Sequence, residues 1–180
     1  SYGAKAAELV ARPIPDPKSV NDQRDYLQFW QVTATQLIGD TKFTGGVGPL
    51  VKVLMTPAKA PLTLPVRTAL MKMPKEAEPE LIKALKGEGE YEKLAQGYEA
   101  RGYLPLVAEP LAYISRPPGM AALLEQLAKP DLTPQNRVLL ARDLAHFPPD
   151  PKLVAAYRDA YGKVPADAAI AAMSGANGHV

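Results

Sequence analysis

The chain is predicted to be all-α, a stacked array of short helical pairs, and three observations predict it. Apolar residues recur at the 3.6-residue period along nearly the whole length, and no run of alternating β-branched residues is bounded by hairpin turns. Nineteen prolines among 180 residues, twice the usual ~5%, fall in clusters between the periodic segments. Lacking an N–H and clashing with the preceding turn, proline ends helices, and at a first-turn position it begins them. Finally, Ala58-Lys59-Ala60-Pro61-Leu62-Thr63-Leu64-Pro65-Val66-Arg67-Thr68-Ala69-Leu70 returns 70 residues later as Ala128-Lys129-Pro130-Asp131-Leu132-Thr133-Pro134-Gln135-Asn136-Arg137-Val138-Leu139-Leu140. Such a period divides into two helical hairpins of about thirty-five residues, the length signature of a stacked array.

A first helix is expected over 2–10, with Ala6, Leu9 and Val10 on its apolar side. A second spans 23–39: Tyr26, Trp30, Thr33, Leu37 and Ile38 follow one face, and Ser19, Asn21 or Asp22 caps the start. A short apolar helix covers 47–55, and another covers 63–73 with Thr63 as N-cap and Pro65 in its first turn. Over 78–85, Leu81, Ile82 and Leu85 form a stripe against Glu80, Lys83 and Lys86, and Gly87 stops the helix. The segment 88–103 departs from the pattern, with an inserted irregular helix carrying Tyr91, Leu94 and Tyr98 before a break at Gly102.

A helix over 104–114 follows, which Pro110 is expected to kink or shorten. Beyond Arg116-Pro117-Pro118-Gly119, three helices carry in turn Met120, Leu123, Leu124 and Leu127; Leu140, Ala141, Leu144 and Ala145; and Leu153, Val154, Tyr157 and Tyr161. One more is expected over 166–173, and the glycine-rich tail 174–180 is expected to fray. Most of these helices span two to four turns, too short to persist alone, so they must stack. The first reads as the second half of a hairpin and the last as a first half without its mate. Residues 1–173 therefore read as a single repeat domain that either belongs to a longer array or carries unusual capping units at its ends.

Composition excludes several functional classes. With 47% apolar and 22% charged residues the chain has the make-up of a folded domain, not of a disordered one. Twenty-one basic and 19 acidic residues leave a net charge of +2, which provides no bulk attraction for nucleic acid or an anionic membrane surface. No cysteine is present, so there is no disulfide, thiolate nucleophile or cysteine-ligated metal. No segment approaches the ~18 apolar residues of a membrane span. A start at Ser1 is compatible with removal of a signal peptide or lipid anchor, and the expected setting leans to a bacterial extracytoplasmic one, periplasmic, lipoprotein or secreted.

No catalytic, cofactor or metal constellation is legible. His146 and His179 are the only histidines, so a multi-histidine metal site is excluded; His146 reads as a C-terminal-turn residue favoured by the helix dipole. Gly45-Gly46-Val47-Gly48 lacks the preceding strand and following lysine of a phosphate loop and reads as a hairpin turn. The acidic runs Glu76, Glu78, Glu80 and Glu88, Glu90, Glu92 alternate with lysines and read as solvated helix faces. Tyr26 and Trp30, beside Phe29, are assigned by their spacing to the core. Tyr91, Tyr98, Tyr103 and Tyr113, clustered around the insertion, are the candidate contact surface, since tyrosine is enriched in interfaces.

Leu37-Ile38-Gly39-Asp40 followed by Val47-Gly48-Pro49-Leu50-Val51-Lys52-Val53-Leu54 resembles the HEAT-repeat consensus. Leu64-Pro65-Val66-Arg67-Thr68-Ala69-Leu70 looks like that family's start of the next first helix. Glu78-Pro79-Glu80-Leu81-Ile82-Lys83-Ala84-Leu85 looks like its second helix, and Asn136-Arg137-Val138-Leu139-Leu140 like a weaker copy. The resemblance covers 22–162, apart from 88–103. It implies an α-solenoid of about four to five stacked helical hairpins in a right-handed superhelix, each pair contacting only its neighbours. It further implies that Arg67 and Arg137 pair with carboxylates or carbonyls between adjacent turns, and that Asp40 serves as a cap or inter-repeat acceptor.

The function expected is a non-enzymatic scaffold that binds another protein on a concave face of second helices. Lys52, Lys83 and Arg158 are candidate contacts there, with Glu80, Glu125 and Lys152 making the charge mixed. HEAT-like arrays that act as alkylpurine DNA glycosylases or bilin lyases are an alternative, as is a structural domain of a bacterial envelope or secreted assembly. The unsegregated charge argues against the glycosylase, and neither cofactor nor nucleic acid is expected.

Overall fold

The structure, a computed structural model, describes residues 1–15 and 21–163, and among these there are ten α-helices and no strand. Helix α1 (Tyr2–Ala11) starts where the Ser1 hydroxyl accepts from the Ala4 N–H at 3.4 Å. Helix α2 (Asn21–Asp40), of 20 residues, is the longest at about 30 Å. A 3-10 turn at Thr44–Gly46 leads into α3 (Val47–Leu54), and a longer one at Pro57–Leu62 leads into α4 (Thr63–Met71). Helix α5 (Pro74–Lys86) ends on Gly87 in the left-handed region at φ 68°, where a side chain would be strained. The insertion comprises 3-10 turns at Gly89–Tyr91 and Glu99–Arg101 flanking the short α6 (Glu92–Gln96). Then come α7 (Leu104–Ile114), α8 (Pro117–Leu127), α9 (Pro134–Leu144) and α10 (Pro151–Gly162).

Two successions of helices organise the packing. In one, α1, α3, α5, α8 and α10 each touch the next; in the other, α2, α4, α7 and α9 do. Between the two lies one continuous apolar cluster running from Ala6 to Ala160, in which Ile38, Leu50, Leu70, Leu81, Leu85, Leu104, Leu111, Leu123 and Leu140 are fully buried. Each such side chain contributes about 2 kcal/mol by leaving water. Gly39 sits where α2 crosses α4: a Cβ there would lie 2.8 Å from the Ala69 Cα, so glycine permits that approach. Gly46 serves the same end, since its Cβ would fall 2.5 Å from Ile38 Cγ2; the glycine run is a packing turn into α3.

Several expectations are corrected by tertiary context. Thr63 is not an N-cap: its backbone is already helical (φ −55°, ψ −49°) because the preceding 3-10 turn runs straight into α4, and Leu62 holds the cap position. Helix α5 begins at Pro74, not at 78, and the inserted helix is reduced to α6. Helix α7 continues past Pro110 to Ile114; the ring is buried, and the missing N–H costs the one bond to the Leu106 carbonyl.

The largest correction is on α2. Its buried side is Gln31, Ala34, Thr35 and Ile38, while Tyr26, Phe29, Trp30 and Leu37 are exposed. Gln31 faces inward, where its Nε2 donates to the carbonyls of Leu9 (3.1 Å) and Arg12 (2.8 Å) at the end of α1, Leu9 also accepting from the Arg12 N–H at 3.3 Å. The expected cap Ser19, the helix over 166–173 and the tail 174–180 lie outside the described residues.

Candidate partner surface

The four tyrosines separate into three environments. Tyr91 is fully buried and donates its hydroxyl to Glu80 at 2.8 Å; burial, then the Glu80 and Glu90 carboxylates, push its pKa upward. Tyr103 is buried and donates to the Leu85 carbonyl at 3.3 Å, with its ring edge-on to Tyr98 at 6.0 Å. Tyr91 and Tyr103 therefore leave the candidate surface: they fasten the insertion onto α5, where a large ring with one polar tip fills the gap and still satisfies its hydroxyl. Tyr98 is half-buried and Tyr113 exposed. Tyr113, on α7, lies against His146 with ring centroids 4.4 Å apart. His146 itself follows the end of α9; its N–H donates to the Asp143 carbonyl at 3.1 Å, and its own carbonyl accepts from the Ser115 hydroxyl.

Lys52, Lys83 and Arg158 fall together on the succession α3, α5 and α10, whereas Tyr113 belongs to the other succession. Lys52 pairs with Glu90, Lys83 with Glu80 at 2.7 Å, and Lys86 with Glu125 at 2.9 Å across α5 and α8. The hydrogen bond with Glu125 raises the Lys86 pKa and lowers that of Glu125. Exposed pairs of this kind stabilise by ~0–1 kcal/mol each. Their chemical effect is a face rich in donors and acceptors of both signs, with little net field.

Three buried charged groups escaped the sequence reading. Glu78, which alternation with lysines places on a solvated face, is buried: one oxygen accepts from the Gly119 N–H at 3.1 Å and the other pairs with Arg116 at 3.3 Å. It thereby satisfies the first turn of α8, favourably for the helix dipole. The signal was Arg116 beside Pro117-Pro118-Gly119, legible only once α5 and α8 are known to be neighbours. Lys59 is buried and donates to the Val10 carbonyl at the end of α1, and desolvation lowers its pKa. Asp143 is fully buried; desolvation pushes its carboxyl up to about 6, aided by the Glu109 charge and opposed by Arg142, which bonds it at 3.0 Å.

The two echo arginines hold helices together. Arg67 pairs with Glu109 of α7 at 2.6 Å, and Arg137 donates to the carbonyls of Leu127 (2.7 Å), Lys129 (3.1 Å) and Leu132 (3.4 Å). Asp40 of α2 accepts from Lys72, just past α4, at 2.5 Å. A separate apolar groove of about 1030 Å³ lies between α9 and α10, lined by Ala145, Phe147, Leu153 and Val154 among others. Among the described residues no three metal-ligating side chains gather, and no helix is long and apolar enough to cross a membrane. In comparisons with protein-family models, curated proteins and solved structures, nothing matches this chain.

Proposed function

We propose that the chain is a HEAT-like α-solenoid that acts without catalysis, as a scaffold binding another protein on the face formed by α3, α5, α8 and α10. The observation carrying this reading is the two-row succession, in which each helix touches the next in its own row. That is the nearest-neighbour contact pattern of a repeat array. Arg67 and Arg137 support it by bridging helices from equivalent places in the echo. The ion-paired face suits a partner recognised by matched local charges, and Lys52, Lys83 and Lys86 are each held by a carboxylate, which disfavours the DNA-glycosylase alternative.

Immobilised protein exposed to native extract, followed by titration of the captured partner, tests the reading. Lys83→Glu with Arg158→Glu is expected to weaken that partner at least about tenfold while leaving helicity unchanged. Undiminished binding by the double variant, or a measurable turnover by the isolated chain, would overturn it.

A further inference from the structure

Helix α2 carries two seams, and the fold uses only one. The inner seam, Gln31, Ala34, Thr35 and Ile38, is buried, and α2 packs against α1 and α4. The outer one, Tyr26, Trp30, Thr33 and Leu37, advances by four, three and four residues, which is the spacing of a heptad seam that meets another helix. It is open to solvent: Tyr26 is 66% exposed, Trp30 41% and Leu37 39%, flanked by Phe29 at 63% and by Tyr2 of α1 at 85%. Trp30 stands edge-on to both Tyr26 (6.0 Å) and Phe29 (5.6 Å), so the rings brace one another. Thr33 places no polar demand on an occupant, because its hydroxyl already donates to the Phe29 carbonyl at 3.0 Å. Alongside the seam, α1 and α2 enclose a groove of about 220 Å³ walled by Tyr2, Leu9, Trp30 and Leu37.

Area and charge indicate what covers this face. With roughly 150–250 Å² carried by each large side chain, the five exposed residues present on the order of 600 Å². That is the upper end for a patch on a solitary protein and most of the ~800 Å² that each partner contributes to a standard interface. Exposed Lys5 lines the groove on the α1 side and exposed Asp25 lies beside Phe29 on the α2 side. Lys5 and Asp25 thus stand on opposite flanks of the seam with opposite charge, and a two-fold axis pairing the two α1–α2 faces would repeat any Lys5–Asp25 contact, which is the self-complementarity an isologous interface requires. We propose that the α1–α2 face is the interface with a second copy of this chain, α2 of each copy lying in the groove of the other as a four-helix packing. The proposal is independent of the face assigned to the scaffold partner, which lies on other helices.

Analytical ultracentrifugation of the intact chain over micromolar to sub-millimolar concentration is expected to show a mass rising from 19.3 kDa towards twice that value. Trp30 is the only tryptophan, so its emission should shift to shorter wavelength in step with the mass. Tyr26→Lys with Leu37→Lys keeps that reporter, alters only exposed positions, and should leave a monomer of unchanged helicity whose emission is independent of concentration. Phe29→Lys is the second variant should the first lose helicity, and is expected to weaken dimerisation at least about tenfold. A wild-type chain that stays monomeric with constant Trp30 emission overturns the proposal. So does a dimer that persists in the charged variants, which would use another face.

Discussion

The two copies of the internal echo begin from nearly the same residues and end in different physical arrangements. The leucines that recur in both copies are core: Leu62 and Leu132 are buried, and Leu70 and Leu140 are fully so, whereas Leu64, which proline replaces in the second copy, is exposed. The polar positions diverge. Arg137 is buried and carries three carbonyls at and beyond the end of α8, whereas Arg67 is half-buried and meets a carboxylate on α7. Thr133 is a true N-cap, accepting from the Asn136 N–H at 3.2 Å, while Thr63 is already inside a helix. The cause is the opening of each copy. Pro57–Leu62 forms a 3-10 turn that sends Lys59 inward to the end of α1, whereas Pro130-Asp131 leaves the later copy extended at Thr133 (ψ 151°). Apolar positions in a repeat keep their role because burial is non-directional; polar positions keep theirs only where the partner is also repeated.

That contrast is open to direct tests. Arg137→Met should be the most damaging, by about 3 kcal/mol in urea unfolding, because it strands buried carbonyls. Arg67→Met should cost about 1 kcal/mol, since Glu109 keeps access to water. Equal costs would mean that the two copies share one energetic role after all. Asp143, on the helix that contains the second copy, sharpens the point through pH. Its carboxyl titrates at about 6 instead of near 3.8, so the folded state binds the proton more tightly than the unfolded chain. The contribution is most favourable below about pH 4, declines as pH rises towards 6, and is a penalty above that. Asp143→Asn is therefore expected to stabilise by about 2 kcal/mol at pH 7.5 and to have no stabilising effect at pH 4, as read by thermal melts at both.

Smaller effects follow from the caps and the insertion. Thr133→Ala should cost about 1 kcal/mol and Thr63→Ala close to nothing, the difference reporting the cap directly. In the segment that separates the copies, Ala100 and Arg101 both hold positive φ (48° and 58°), pinned by Asn136 Nδ2 donating to both of their carbonyls. Ala100→Gly should relieve part of that strain and stabilise by about 0.5 kcal/mol, measured by the same unfolding experiment.

The sequence by itself determined the all-α class, the punctuation of the helices by proline, the stop at Gly87 and the apolar identity of the echo leucines. These depend on the backbone and on local periodicity, which are written residue by residue. Only tertiary structure decided which side of a helix turns inward. On α2 the apolar-looking stripe of Tyr26, Trp30 and Leu37 remained outside, while Gln31 and Thr35 went in. Thr35 satisfies its hydroxyl locally, on the Gln31 carbonyl one turn back at 2.8 Å, but the Gln31 amide nitrogen finds partners that sequence spacing does not reveal, at the end of α1. Likewise Glu78 could be recognised as buried only after α8 had presented Gly119 and Arg116 to it. A polar side chain tolerates burial when a distant backbone group needs it, and that need exists only once the helices have met.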